Sequence, residues 1–336
     1  MKITFYESPP AVDKTVLEQT FKDCEFVFCD KKLDKNNIDL AKDSEIVSVF
    51  INSLLNKEAI DSLPKLKFIT TRSAGFDHID LQYCAQKGIL VSSVPCYGDH
   101  TVAELTFAFI LNLSRNILKA NNYIRETSDF NVLCSFCGFD LNGKTIGIIG
   151  AGRIGKNVIK IAKGFNMNVI AYDLHPDLEF AKINNFEYKS LEEIISQSDI
   201  ISLHTPFTKE NFHIINKETI SRMKKGVLLI NTARGALIDN SALIWGIQEG
   251  IIGGAGLDVL EGERDLKIKN EIFNSDDSKN IDYKMLAENQ LLMEMSNVII
   301  TPHIGFYSKE AENEIFKVTV ENIKGFLSNN LINLVK

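Results

Sequence analysis

The stretch from Lys144 to Asp173, KTIGIIGAGRIGKNVIKIAKGFNMNVIAYD, constrains this chain more than any other. A short apolar run, Ile146 to Ile149, leads into Gly150-Ala151-Gly152-Arg153-Ile154-Gly155. An amphipathic segment follows to about Phe165, then a second apolar run, Val169 to Tyr172, closing on Asp173. This is the order strand, glycine-rich turn, helix, strand, acid, and the context gives meaning to a glycine pattern that is weak on its own. Gly150 allows a tight turn, Gly152 leaves room for a pyrophosphate against the backbone, and Gly155 lets the helix pack close to the strand. The helix start offers free N–H groups and the positive end of its dipole to phosphate. Asp173 stands about 20 residues further on, where a carboxylate accepts the ribose hydroxyls of an adenosine. The stretch therefore predicts a dinucleotide site. No arginine follows Asp173 in Leu174-His175-Pro176-Asp177 to offset a 2′-phosphate, so the expected cofactor is NAD and not NADP.

With 336 residues and 45% apolar content, the chain has material for two cores. A net charge of −7 leaves no basic footprint for nucleic acid. No apolar run approaches the length of a membrane span, and Met1-Lys2-Ile3 opens directly into a strand-like segment, so neither membrane insertion nor a signal peptide is expected. Six cysteines (24, 29, 84, 96, 134, 137) are scattered along the chain. Only Cys134 and Cys137 have ligand-like spacing, with no second pair to complete a metal site. A reducing cytoplasm and no metal are the expectation.

Strand-like runs at Ile3 to Tyr6, Ile46 to Phe50, Phe68 to Thr70 and Ile89 to Val91 alternate with helical patterns near Asp13 to Phe21 and Leu81 to Gln86. Such alternation argues for a parallel sheet covered on both faces, so the first ~95 residues form a unit of their own. A long apolar helix is predicted over about Thr101 to Arg125, buried between domains and contributing to a dimer interface, with Asn121 to Gly143 largely irregular. Beyond Asp173, strands at Ile200 to Leu203, Val227 to Ile230, Ala255 to Val259 and Val298 to Ile300 alternate with helices at Leu191 to Ser196, Asn216 to Met223 and Ser241 to Gln248. Arg264 to Asn289 is long and charged, and reads as a solvated loop.

Ligands of such sheets bind beyond the carboxyl ends of the strands. There the sequence places His204-Thr205-Pro206, Asn231-Thr232-Ala233-Arg234-Gly235, Asp258 with Glu261-Gly262-Glu263, and Thr301-Pro302-His303. Reduction of a 2-keto acid needs a carboxylate clamp, a hydride donor and a proton for the carbonyl oxygen. Arg234 suits the clamp, being bidentate and permanently charged. His303 suits the acid, and Glu263 beside it would favour the protonated ring and fix its orientation.

These segments resemble the D-2-hydroxyacid dehydrogenases, most closely the bacterial D-lactate dehydrogenases. The similarity runs through Thr71 to Asp80 (TRSAGFDHID), Val94-Pro95-Cys96-Tyr97, the GAGRIG turn, NTARG at 231–235, GLDVLEGE at 256–263 and TPHIGFYS at 301–308. The resemblance implies that Arg234, Glu263 and His303 are the catalytic set, and selects Glu263 over Glu261. It implies substrate contacts from Ser73, Ala74, Gly75, Tyr97 and Tyr307, with Phe306 near the pocket wall. To the glycines and Asp173 it adds cofactor contacts from Arg153, Ile154, His204, Thr205, Pro206, Thr232, Ala233 and Asp258. It also implies a Rossmann dinucleotide domain (100–304) inserted in a flavodoxin-like substrate domain (1–99 plus 305–336); the apolar helix over 101–125 is the ground for expecting a homodimer. Gly98-Asp99-His100 and Glu104-Leu105 depart from the lactate-type pattern, which leaves the substrate side chain open. The expected reaction is NADH-dependent reduction of pyruvate to D-lactate. Alternatives are another 2-keto acid (2-ketoisocaproate, 2-ketoglutarate, phenylpyruvate, hydroxypyruvate or glyoxylate) and a non-catalytic NAD-sensing protein.

Overall fold

The computed structural model describes residues 1–8, 13–263, 266 and 282–335. The described residues form two compact units, Met1–Gly98 with Tyr307–Lys336, and Asp99–Phe306.

The first unit is built on five parallel strands: β1 (Lys2–Tyr6), β2 (Glu25–Cys29), β3 (Ile46–Val49), β4 (Phe68–Thr71) and β5 (Leu90–Ser92), in the order β2-β1-β3-β4-β5. That is a flavodoxin-like order. Ile3, Phe5, Ile46 and Phe68 enter one core cluster and Tyr6, Val47, Val49 and Ile69 another, so both faces are covered. The C-terminal helix Lys309–Leu327 belongs to this unit and places Val320 and Ile323 in the first of these clusters. Asn322 Nδ2 donates to the Ser93 carbonyl at 2.9 Å, and Ser92 pairs antiparallel with Leu334. The C-terminus is thereby tied to the edge of the sheet.

The second unit carries seven parallel strands: β6 (Thr145–Ile149), β7 (Asn168–Tyr172), β8 (Glu187–Tyr188), β9 (Ile200–Leu203), β10 (Val227–Asn231), β11 (Ile252–Leu257) and β12 (Val298–Ile300). Their order is β12-β11-β10-β9-β6-β7-β8. Chain direction across the sheet reverses between β6 and β9, which makes their carboxyl ends the topological switch point where ligands bind in such folds. Along β10, Leu229 enters one core cluster while Leu228 and Ile230 enter the other.

Three sequence expectations are corrected. First, β2 is an additional strand. Its Phe26 and Phe28 lie at 6.4 and 5.5 Å between ring centroids from Phe5, and its run EFVFC lacks the punctuation that marks the others. Second, the long helix is two helices, Asp99–Arg115 and Ile117–Thr127, separated by Asn116 at φ 52°. Asparagine tolerates this left-handed conformation, so the break needs neither proline nor glycine. The first of the two is a core helix of its own unit, with Phe109 against Gly256 of β11, where an added Cβ would lie 2.7 Å from the Phe109 side chain. Third, the segment read as a loop to Asn289 already turns helical at Tyr283, in the helix Tyr283–Glu294 capped by Asp282. Residues 264–265 and 267–281 of that segment lie outside the described residues.

Candidate active site

The glycine-rich turn follows β6 directly and begins the helix Arg153–Gly164. Gly150 has φ +96°, and a Cβ there would lie 2.7 Å from the backbone of both His204 and Thr205, so only glycine lets the β6 and β9 ends approach. A Cβ on Gly155 would lie 2.1 Å from the Gly150 carbonyl oxygen, which enforces close helix–strand packing. Gly152, the N-cap, has open space around its missing Cβ and supplies no capping side chain. A helix start left open in this way is an anion site. Ile154 packs into the core beneath, while Arg153 Nε pairs with Asp99 at 3.1 Å.

Asp173 ends β7 and reaches back to the turn. Its Oδ2 accepts from Ala151 N–H at 2.7 Å and its Oδ1 from His175 N–H at 2.8 Å. The acid thus shapes the turn that follows β6.

After β9, His204 Nε2 lies 2.8 Å from Ser202 Oγ, and its Nδ1 is buried with no hydrogen-bond partner among the described residues. Burial pushes its pKa down to about 3, which keeps the ring neutral. Thr205 and Pro206 continue from it along the same strand end. After β10, Thr232 is buried and shares a 3.1 Å hydrogen bond with Thr106. Asn231 then braces the next turn, accepting from Ala233 N–H and donating to the Arg234 carbonyl. Arg234 is half-buried, with one guanidinium N–H on the Ala233 carbonyl at 2.7 Å.

Beyond β11 and β12 the acid and the histidine meet. His303 Nδ1 and Glu263 Oε1 are 2.9 Å apart, each side chain about one-quarter exposed (24% and 28%). Glu261 turns elsewhere, to His213 Nε2 at 2.8 Å. Asp258, expected near the cofactor, is 2% exposed, and its carboxylate is occupied by Thr301 Oγ1, Ile304 N–H and Gly305 N–H. Its observed contacts organise the turn that bears His303.

This arrangement can be set beside known proteins. The NAD-binding domain model of D-isomer specific 2-hydroxyacid dehydrogenase matches residues 107–305. The chain belongs to this family. It is 36% identical to 2-hydroxyacid dehydrogenase homolog 1 of Schizosaccharomyces pombe, over 98% of this chain and 97% of that protein. It is 40% identical to an aromatic 2-oxoacid reductase of Clostridium sporogenes, over 85% of this chain and 84% of that one. Among solved structures it is similar to D-lactate dehydrogenase from Aquifex aeolicus complexed with NAD and lactic acid. There the TM-score is 0.86 with 38% identity, covering 98% of this chain and 96% of the other. NAD is the cofactor of this dehydrogenase family, and the open Gly152 helix start fits its pyrophosphate.

Of the remaining residues singled out by the family resemblance, Phe306 is half-buried at the end of the second unit and the others lie in the first. Ser73 is buried after β4, donating to the Gly75 carbonyl at 2.6 Å and sharing a 2.7 Å hydrogen bond with Thr71. Ala74 is exposed, Gly75 and Tyr97 are half-buried, and Tyr307 is 60% exposed. Beneath this loop Arg72 is fully enclosed, donating to Ser48 Oγ and to the Tyr6 and Glu7 carbonyls at 2.6–2.7 Å. Sequence reading overlooks this anchor. It overlooks the His213–Glu261 pair as well, because nothing in Asn211-Phe212-His213 separates it from an ordinary turn.

Among the described residues no three His, Cys, Asp or Glu side chains group as metal ligands, and no helix is long and apolar enough to cross a membrane. The described cysteines are free thiols, with Cys134 and Cys137 both exposed.

Proposed function

We propose that this chain is an NAD-dependent D-lactate dehydrogenase, interconverting pyruvate with NADH and D-lactate with NAD. The observation that carries the reading is the 2.9 Å His303–Glu263 pair, presented beyond β11 and β12 in the same sheet whose β10 leads to Arg234. In this reading Arg234 clamps the substrate carboxylate in a charge-assisted, bidentate contact. His303 uses Nε2, the nitrogen not facing Glu263, to donate a proton to the carbonyl oxygen in reduction and to take it back in oxidation. Glu263 holds the ring by Nδ1 and so aims Nε2 at the substrate. Bound NADH supplies the hydride. His204, neutral and set beside Gly150, would line the nicotinamide half with Thr205, Pro206, Thr232 and Ala233. Gly150, Gly152, Arg153, Ile154 and Gly155 would hold the pyrophosphate, and Asp173 the ribose, favouring NADH over NADPH.

Residues 100–304 serve as the cofactor domain and 1–99 plus 305–336 as the substrate domain. Backbone at Ser73, Ala74 and Gly75 would receive the substrate carboxylate, and Tyr97 and Tyr307 would bound its side chain. The enzyme works as a cytoplasmic homodimer.

A second reading keeps this chemistry and enlarges the acid, favoured by the 40% identity to the aromatic 2-oxoacid reductase. Rates of NADH oxidation with pyruvate, 2-ketobutyrate, 2-ketoisocaproate, phenylpyruvate, hydroxypyruvate, glyoxylate and 2-ketoglutarate separate the two. The highest kcat/KM is expected with pyruvate. A higher value with phenylpyruvate supports the second reading, and no turnover with any of them leaves only an NAD-binding role.

A further inference from the structure

Two carboxylates flank Gly262, and each meets a histidine. Glu263 Oε1 lies 2.9 Å from His303 Nδ1, and Glu261 Oε2 lies 2.8 Å from His213 Nε2. Gly262 turns the chain between them at φ +71°, and both histidines also sit in the left-handed region, at φ 59° and 51°. Non-glycine residues adopt that region at a cost and keep it only where surrounding contacts enforce it.

The contacts around His213 reach the arginine loop as well as the glutamate loop. Its N–H donates to the Ala236 carbonyl at 3.0 Å, inside the short 3-10 turn Gly235–Leu237 that follows Arg234. Its own carbonyl accepts from Asn216 Nδ2 at 2.9 Å, and its ring stacks on Phe212 with centroids 3.7 Å apart. Gly235 lies so close to the glutamate loop that an added Cβ would come within 2.1 Å of the Leu260 carbonyl carbon and 2.3 Å of Glu261 N. On the far side, Asn289 Nδ2 donates to the Glu261 carbonyl at 2.8 Å, and Asn240 Nδ2 donates to Asn289 Oδ1 at 2.9 Å.

We infer that His213 is a positioning residue: through Glu261 it fixes the Gly262 turn that delivers Glu263 to His303, and it ties that turn to the loop bearing Arg234. The inference rests on the proposed roles of Glu263 and His303. The alternative is a histidine that only stabilises its turn by stacking on Phe212. The carboxylates facing His213 are Glu261 and, within electrostatic reach, Asp239.

Two substitutions separate the alternatives. His213→Phe keeps a ring for Phe212 and removes the donor to Glu261, whereas His213→Gln keeps a donor and removes the ring. The readout is kcat for NADH-driven reduction of the best 2-oxo acid, with KM for NADH and thermal stability measured alongside. His213→Phe is expected to lower kcat by about tenfold, since misplacement of a reacting group by about 1 Å costs rate steeply. KM for NADH should stay unchanged. His213→Gln should restore most of the lost kcat. Glu261→Met, which keeps the length of the side chain and removes both acceptors, is expected to behave as His213→Phe and serves if the phenylalanine variant does not fold.

The inference is overturned if His213→Phe leaves kcat unchanged, or if His213→Gln matches the parent protein in stability yet does not restore kcat. A Glu263→Gln variant with undiminished kcat would instead remove the catalytic reading beneath it, and the inference with it.

Discussion

Asp258 grips the turn that carries His303 with both its main chain and its side chain. Its carbonyl accepts the His303 N–H at 2.9 Å, and its carboxylate accepts from Thr301 Oγ1, Ile304 N–H and Gly305 N–H at 2.5, 2.8 and 2.7 Å. Holding a histidine at φ 59° costs roughly 1–2 kcal/mol, and these four hydrogen bonds offset that cost. A Cβ on Gly305 would lie 2.8 Å from Asp258 Oδ2, so the glycine lets the carboxylate close on the turn.

Asp258→Asn therefore places an amide where backbone N–H groups need an acceptor. Stability should fall by about 1–3 kcal/mol in denaturant unfolding, from one unsatisfied buried donor. Turnover should fall at least tenfold because His303 loses its fixed orientation. Unchanged turnover with lowered stability would mean that the turn does not set the histidine.

Glu263→Gln keeps a hydrogen-bond acceptor near His303 Nδ1 and removes the negative charge. The charge-assisted hydrogen bond that orients the ring becomes a neutral one, so kcat for reduction of the 2-oxo acid should fall about tenfold. Undiminished kcat, measured at saturating NADH, would mean that Glu263 does not orient the ring.

Asp173→Ala removes the proposed acceptor for the ribose together with the brace on Ala151 N–H. The ratio of kcat/KM with NADH to that with NADPH should fall about tenfold, with most of the change in KM for NADH. An unchanged ratio would limit Asp173 to shaping the turn.

His204 gives a pH dependence of stability. Its folded pKa of about 3 lies below the ordinary histidine value near 6.5, so on acidification the unfolded chain takes up a proton that the folded chain refuses. The contribution is whole above about pH 6.5 and is lost as pH falls towards 3. Between pH 6.5 and 5 the loss should be roughly 2 kcal/mol. Urea unfolding of the protein and of His204→Asn at those two pH values checks this: the variant should lose less on acidification. An equal loss in both would mean that His204 does not titrate as its burial demands.

Elements with strong local signals are legible in the chain. Val227 to Ile230 is an uninterrupted run of valine, leucine and isoleucine and Ile146 to Ile149 an isoleucine run broken only by Gly147, as strands buried on both faces require, and GAGRIG marks the turn between strand and helix. The pairing of Glu263 with His303 is a different case. It joins residues 40 apart in the chain, and only the sheet order that makes β11 and β12 neighbours brings them together. What escapes reading depends on tertiary context. The break at Asn116 comes from one left-handed residue whose side chain donates to the Cys137 carbonyl at 3.2 Å. The resemblance offers Asp258 as a cofactor contact, and only the fold reveals its further partners, three donors from a turn more than forty residues downstream. The Arg72 anchor depends on carbonyls at Tyr6 and Glu7, at and just beyond the end of the first strand.

The most direct test is single-product analysis of pyruvate reduction by the purified protein, using NADH carrying deuterium at the transferred position. Lactate of the D configuration, deuterated at C2 and formed in step with NAD, is the expected result. L-lactate, lactate without the label, or NADH left unconsumed in the presence of pyruvate would contradict the proposed reaction.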